Sequence, residues 1–231
     1  GQLLRNTLRL SIKSLLFGFW VPVAFALLLN EIFVSWYKRI AQTLVYLPYF
    51  ISTVIVVSIL MSMTSSEGLI GNLTEMFSGK FSNLMNSPDS FDSLYIGSNI
   101  WQTFGYSSII YLAAIAAIDP TLYEAATVDG ANRFQKLWHV TMPGILPTIT
   151  ILLILAVGGI LGSNTEKVLL MLNPNNRPIA QVFGTYIYEI GLKSSRYSYG
   201  SAVGLFANVV NFSLVFVANK FSRRISDTSL W

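Results

Sequence analysis

The sequence predicts an all-α fold, a polytopic membrane helix bundle with five spanning helices and one charged loop between two of them. Three observations support this prediction. Over half of the 231 residues are hydrophobic, only 11% are charged, and long uncharged runs recur along the chain. Soluble domains usually carry about 25% charged residues, so this composition is typical of a chain whose solvent is partly lipid.

The uncharged runs define the predicted spanning helices. A transmembrane helix needs about 20 mostly apolar residues, with a range of roughly 17–25. Each run reaches this length, and none shows the polar face of a surface helix in a soluble protein. The runs cover residues 14–30, 40–66, 93–118, 145–162 and 200–219.

The composition of two linkers and the overall charge limit the kinds of partner that the chain is expected to have. The loop at residues 67–92 is polar and acidic, whereas residues 163–198 form a long polar segment that could fold as short helices outside the bilayer. The net charge of +4 favours lipid headgroups, and we expect no nucleic-acid partner. The chain has no cysteine, which excludes disulfides and thiolate metal sites.

The distribution of Lys and Arg predicts an orientation. Counting the spans from the N-terminus places Lys38 and Arg39 on the same side of the membrane as the basic cluster at residues 220–224. The positive-inside rule then places the C-terminus and residues 119–144 in the cytoplasm. A basic N-terminal segment with Arg5, Arg9 and Lys13 conflicts with this orientation, because five spans put it outside. A helix preceding Gly1 would remove the conflict, and the segment could also lie along the headgroup surface.

The charged loop, residues 119–144, separates the third and fourth runs. Asp119 and Pro120 are typical of a helix start, and Gly130 interrupts the helix that follows. A second helix is predicted over residues 132–140, and Pro143-Gly144 is expected to end it before the next span. Helical spacing puts four residues on one face, namely Leu122, Ala125, Ala126 and Asp129. Spacing alone would also fit an ordinary linker.

The charged loop resembles the EAA loop of ABC-importer permeases, whose pattern is E-A-A, three residues, G, nine residues, then I-x-L-P. Here Glu124-Ala125-Ala126 is followed by Gly130 and, nine residues later, by Val140-Thr141-Met142-Pro143. Val and Met replace the usual Ile and Leu. Further stretches such as "LVYLPYFIS", "IIYLAAIAAIDPTLYEAATVDGA" and the terminal "SLW" are similar to permeases for complex carbohydrates.

This resemblance implies a function and a set of partners. The whole chain, residues 1–231, would be a single permease domain in a bacterial cell membrane, with a sixth, N-terminal helix missing. It would pair with a homologous second permease and receive a carbohydrate or oligosaccharide from an extracellular solute-binding protein. Two cytoplasmic ATPase subunits would carry ATP and Mg. The residues implied in ATPase coupling are Glu124, Ala125, Ala126, Asp129, Gly130 and Pro143.

The sequence contains none of the nucleotide-binding or catalytic motifs that would indicate an enzyme. There is no G-x-x-x-x-G-K-[ST] phosphate loop and no G-x-S-x-G nucleophile elbow, and His139 is the only histidine. We therefore expect a transport subunit without an ATPase site, cofactor or metal of its own, and no enzyme. The alternative is a secondary transporter or channel, which would need no docking helix for an ATPase.

Four residues within the spans are candidates for the sugar path. Sugars bind to amides and hydroxyls beside aromatic rings. The candidates are Trp101 and Tyr111 in the third run and Asn208 and Asn211 in the fifth. The alternative is simple packing, in which asparagines bind neighbouring helices and aromatic side chains fill the interface.

Overall fold

The computed structural model describes residues 1–78 and 83–225, and within this part the chain forms helices and no strands. The predicted all-α membrane helix bundle is confirmed. The C-terminal residues 226–231, for which the sequence predicts a cytoplasmic location, lie outside the described residues. The helices are α1 Gln2–Gly18, α2 Trp20–Asn30, α3 Ser35–Tyr46, α4 Thr53–Thr64, α5 Leu69–Ser78, α6 Pro88–Ala116, α7 Pro120–Val128, α8 Arg133–Lys136, α9 Met142–Gly158, α10 Thr165–Met171, α11 Arg177–Ala180, α12 Phe183–Ile187 and α13 Tyr197–Ile225.

Four to five stretches of the described chain can cross a membrane. Four are long and apolar enough alone, namely Gln2–Asn30, Thr53–Met76, Arg133–Gly158 and Tyr197–Arg223. The count is five if α6 and α7, which meet at a bend of 67°, form one broken span. Each of the five predicted runs overlaps one of these stretches. The polar loop predicted from residue 67 is wrong at its start, because α5 continues the second stretch there.

The predicted second span, residues 40–66, is wrong as a single helix. A 3₁₀ turn, Leu47–Phe50, separates α3 from α4. Pro48 has no backbone N–H to donate, which interrupts the hydrogen-bond pattern of a continuing helix. Ser52 then starts α4, since its Oγ accepts from the N–H of Ile55 at 3.4 Å. The helix is therefore interrupted within a stretch that the sequence shows as one uninterrupted apolar run.

The helix α6 organises the core. It contacts α1, α2, α3, α4 and α9. Near its start, Phe91 and Tyr95 join a buried cluster with Val57 of α4 and Val168 of α10. Near its end, Tyr111 and Ile115 join a second cluster with residues of α2 and α9. The polar segment at residues 163–198, called the outer segment below, carries α10 and thus packs into the bundle.

Polar contacts fix the N-terminal half of α1. Arg9 and Lys13 both pair with Asp92 of α6, at 3.1 Å from Nη2 to Oδ1 and 2.7 Å from Nζ to Oδ2. The buried Asn6 donates to the carbonyl of Pro178 in α11 at 2.9 Å. Asp92 neutralises part of the positive charge that conflicts with the predicted orientation, so the conflict is reduced by a contact within the chain.

Candidate functional site

The first half of the charged loop is a capped helix, α7. The N–H of Thr121 donates to Oδ1 of Asp119 at 2.9 Å, and this bond lowers the pKa of the Asp119 carboxyl below its ordinary value. Pro120 occupies the first turn, where a missing N–H has no cost. Because the cap is made by the ionised carboxylate, it persists at every pH above the lowered pKa of Asp119.

Gly130 ends α7 in a left-handed conformation, with φ of 75°. Two backbone bonds close the helix end, from the N–H of Ala131 to the carbonyl of Ala126 at 2.9 Å and from the N–H of Gly130 to that of Thr127 at 3.1 Å. This pattern is a Schellman motif, which glycine favours because it has no Cβ to clash at positive φ. The turn directs the chain back toward the bundle.

The second half of the charged loop runs into α9 without a stop. Asn132 and Gln135 form a reciprocal capping box at the start of α8, with bonds of 2.9 and 2.8 Å. A π-helical turn, Leu137–Thr141, then leads directly into α9. The prediction that Pro143-Gly144 ends this helix is wrong. Pro143 lies in the first turn of α9, directly after the π turn, so its missing N–H is tolerated.

Two side-chain bonds connect α7 to the helix that enters the membrane. The hydroxyls of Tyr123 and the buried Thr141 lie 2.9 Å apart, and Nζ of Lys136 donates to Oγ1 of Thr127 at 2.8 Å. Arg133 also lies over the ring of Phe33, 4.4 Å from its centroid, which links the loop to the turn before α3. Movement of α7 would therefore be passed to α8 and α9.

The outer surface of α7 has no partner within the described chain. No residue of this helix is buried, and Glu124, Ala125 and Asp129 are exposed while Ala126 is half-buried. Four large apolar side chains of the charged loop are exposed as well: Leu122 (53%), Val128 (89%), Phe134 (70%) and Trp138 (51%). A short helix with small residues, apolar neighbours and two free carboxylates is suited to seat in the cleft of another protein.

The four predicted path residues do not meet in one cavity. Trp101 is half-exposed and lines a cavity between α4 and α6, whereas Tyr111 is buried in the core. Oδ1 of Asn211 accepts from the N–H of Leu161 at 3.1 Å, which joins α13 to the chain after α9. Asn208 is exposed on α13. The contact of Asn211 is the helix packing that was the alternative to a path role.

A second cavity combines aromatic rings with hydroxyl groups. It measures about 490 Å³ and lies against α2, α6, α9 and the 3₁₀ turn, with Tyr111 on its wall. Tyr49 and Tyr106 stack there, with ring centroids 3.9 Å apart and an interplanar angle of 5°. Thr103 and Ser107 supply hydroxyls. Sequence reasoning missed Tyr49, although Pro48 beside it indicates a break in the span.

Comparison with known families covers most of the chain, including the charged loop. The family model described as "Binding-protein-dependent transport system inner membrane component" matches residues 14–227. The chain is 44% identical over 230 residues to the polygalacturonan/rhamnogalacturonan transport system permease protein YteP of Bacillus subtilis, covering 99% of this chain and 72% of that protein. It is 28% identical over 223 residues to the arabinooligosaccharides transport system permease protein AraP of Bacillus subtilis, covering 94% of this chain and 70% of that protein.

Solved structures show the same fold. A chain in the crystal structure of a bacterial ABC transporter for import of the acidic polysaccharide alginate superposes with a TM-score of 0.92 at 43% identity, covering 97% of this chain and 79% of that chain. A chain of a bacterial alginate ABC transporter in complex with an alginate pentasaccharide-bound periplasmic protein gives 0.93 at 43% identity, covering 99% and 80%. The predicted resemblance to carbohydrate permeases of ABC importers is confirmed.

Proposed function

The chain belongs to the family of binding-protein-dependent transport system inner membrane components, and from this premise we propose that it is the permease subunit of an ATP-driven oligosaccharide importer. The chain would act as one domain and form the transport path together with a homologous second permease. An external solute-binding protein would deliver the sugar. ATP hydrolysis with Mg would take place on two cytoplasmic ATPase subunits, with no ATPase site in this chain.

The single observation that carries the proposal is the exposed helix α7, which is fixed at both ends and tied to α9. Asp119 and Gly130 set its ends, and the Tyr123–Thr141 bond transmits its position. We assign α7 as the coupling helix that seats in an ATPase cleft. Glu124, Ala125, Ala126, Asp129 and Gly130 would form or shape the contact, and Pro143 the entry into the span.

The names of two relatives support a narrower substrate class. Polygalacturonan and alginate, the substrates in the names of two relatives, both carry carboxylates. We infer that this chain transports an oligosaccharide containing uronate residues. Trp101 and Tyr111 each line a cavity and remain candidates for the path, as does the exposed Asn208. The charged loop and the C-terminus would face the cytoplasm of a bacterial cell.

The test is uptake by the complete complex in proteoliposomes. The chain would be co-expressed with its second permease and ATPase subunits and supplied with the external binding protein. We expect uptake of radiolabelled trigalacturonate that requires ATP on the side of the membrane where the ATPase subunits are bound. Uptake by the permease chains alone, along a gradient and without ATPase subunits, would instead support a secondary transporter or channel and contradict the importer.

Coupling is tested within the same complex by enlarging Ala126. Ala126→Trp should prevent α7 from seating and abolish sugar-stimulated ATP hydrolysis, whereas Ala126→Ser adds one atom and serves as the matched control. Stimulation by sugar equal to that of the unaltered chain in Ala126→Trp would show that α7 is not the coupling helix.

A further inference from the structure

A lysine from the outer segment reaches the middle of the bundle. Lys167, in the first turn of α10, has no exposed surface. Its Nζ donates to Oε1 of Gln102 at 3.3 Å, and Nε2 of Gln102 donates in turn to the carbonyl of Ile51 at 3.0 Å. We call Lys167, Gln102 and the Ile51 carbonyl the lysine site. It joins three separate elements: α10, α6 and the break before α4.

The lysine site lies deep within the helices. Gln102 is 14 residues from each end of the 29-residue α6. Ile51 lies between the 3₁₀ turn and α4, where the second predicted span is interrupted. Ionisable groups at the middle of a membrane bundle are expensive to bury and mark transport pathways, and binding sites form where spanning helices are discontinuous. Both conditions meet at this point.

Among the described residues, no anionic group pairs with the ammonium of Lys167. It carries three N–H donors, and the hydrogen bond described for it goes to a neutral amide oxygen. None of the three ion pairs in the described residues includes Lys167. A buried charge is destabilising unless it is paired and fully hydrogen-bonded. A carboxylate brought to this point would supply the missing charge and further acceptors.

A cavity is lined by residues of α6 that lie within one helical turn of Gln102. It measures about 290 Å³ between α4 and α6 and is lined by Trp101, Ser98 and apolar residues of α4. Ser98 and Gln102 are four residues apart on α6, so they lie on the same face one turn from each other. Trp101 directly precedes Gln102 and is 44% exposed. An aromatic ring and a hydroxyl of α6 thus lie within about one helical turn of Gln102, the residue that contacts the buried ammonium of Lys167.

We propose that the lysine site binds the carboxylate of a uronate residue in the transport path, with Trp101 offering a ring to the sugar face. A carboxylate oxygen displaces Oε1 of Gln102 from the ammonium, and the Gln102 amide then donates to the second carboxylate oxygen. A sugar can reach the lysine site only if α4 and α6 separate near Ile51. The helix is already interrupted at that point, between the 3₁₀ turn and α4. Lys167 is thereby a specificity-determining residue. The assignment rests on the proposed import of acidic oligosaccharides.

The test measures equilibrium binding of two probes to the purified complete complex without the external binding protein. The probes are trigalacturonate and its fully methyl-esterified form, in which the carboxylates are neutral. Lys167→Met should weaken trigalacturonate binding by about 10-fold or more, the loss expected for a hydrogen-bonded charge. Lys167→Arg should retain the preference for trigalacturonate over the ester. Lys193→Met, which alters an exposed lysine of the same outer segment, is the matched control and should bind as the unaltered complex does.

A second variant separates ligand binding from folding. Gln102→Glu places a carboxylate beside Lys167 with almost no change in shape, so it should occupy the site, preserve assembly and abolish trigalacturonate binding. Unchanged binding in Gln102→Glu, equal losses for both probes in Lys167→Met, or no preference for the acid in the unaltered complex would each overturn the assignment. ATP-dependent uptake of trigalacturonate by the unaltered complex, measured separately, tests the importer itself.

Discussion

Gly130 is the residue whose backbone decides the shape of the charged loop. A Cβ added there meets no atom within 4 Å, so any effect of Gly130→Ala comes from its φ of 75°. That conformation is unfavourable for an L-residue by about 1–2 kcal/mol. We expect the end of α7 to open about 5–30 times more often, seen as faster amide hydrogen exchange of residues 126–131 by mass spectrometry.

The matched control for this prediction is Gly204→Ala in α13. Gly204 has an ordinary φ, and its added Cβ would lie 3.8 Å from Cδ1 of Ile187. Alanine in a helix interior is neutral or stabilising there. Hydrogen exchange of residues 126–131 that is as slow in Gly130→Ala as in Gly204→Ala would show that the positive φ does not limit α7.

Alanine variants of Asn208 and Asn211 distinguish a role in helix packing from a role in the sugar path. Asn211→Ala leaves the N–H of Leu161 without its acceptor, a loss of about 1–3 kcal/mol, and should lower the melting temperature of the complex. Asn208→Ala changes an exposed side chain and should leave the melting temperature as it is. A path role for Asn208 would show as altered trigalacturonate uptake at unchanged melting. Equal melting of both variants would contradict the structural role of Asn211.

Single residues differ in how well the sequence predicts them. Asp119, Pro120 and Gly130 are readable because a helix cap involves only neighbouring residues. Lys167 is not readable, since "NTEKV" is typical of an ordinary helix start and nothing local indicates that its side chain reaches Gln102, 65 residues away. The role of Asn211 is ambiguous for the same reason, since its partner Leu161 lies 50 residues away, in the turn after α9.

At the scale of helices, the Tyr123–Thr141 bond is the direct link between α7 and the π turn before α9. Tyr123→Phe and Thr141→Val each remove one partner. A neutral hydrogen bond contributes about 0.5–1.5 kcal/mol, so each variant should reduce sugar-stimulated ATP hydrolysis by roughly 2- to 10-fold. The double variant should be no worse than either single one, because both remove the same contact. Additive losses would show that the two hydroxyls act independently.

Two prolines show why helix boundaries were predicted unevenly. The sequence predicts a break at Pro143 and a continuous helix through Pro48, and the structure has the reverse. Pro143 follows a π turn that needs five neighbouring residues to widen together, which no local pattern reveals. Pro48 is itself a signal of a break, but the apolar residues on both sides of it form one run in the hydrophobic pattern. Hydrophobic runs therefore predict where the chain lies in the membrane better than they predict where each helix ends.

At the scale of the whole molecule, the helices place the charged loop and the outer segment at opposite ends of α9. This helix has 17 residues, about 25 Å at 1.5 Å per residue, and the π turn and α8 extend it. Lys220 and Arg223 near the end of α13 lie on the side predicted to be cytoplasmic. Asp92 holds Arg9 and Lys13 at the other end. The charge distribution is thus compatible with a cytoplasmic charged loop.

Cysteine labelling tests this orientation, because the chain has no cysteine of its own. Val128 is 89% exposed on α7, and Asn175 is exposed in the turn between α10 and α11. We expect Asn175→Cys to react with a membrane-impermeant maleimide on intact cells and Val128→Cys to react only after lysis. The reverse pattern would invert the orientation and place the proposed coupling helix where no ATPase can reach it. Reaction of both from outside would mean that α9 does not cross the membrane. Among the candidate spans, only Arg133–Gly158 lies between the two positions, so the second result would identify that span as the one at fault.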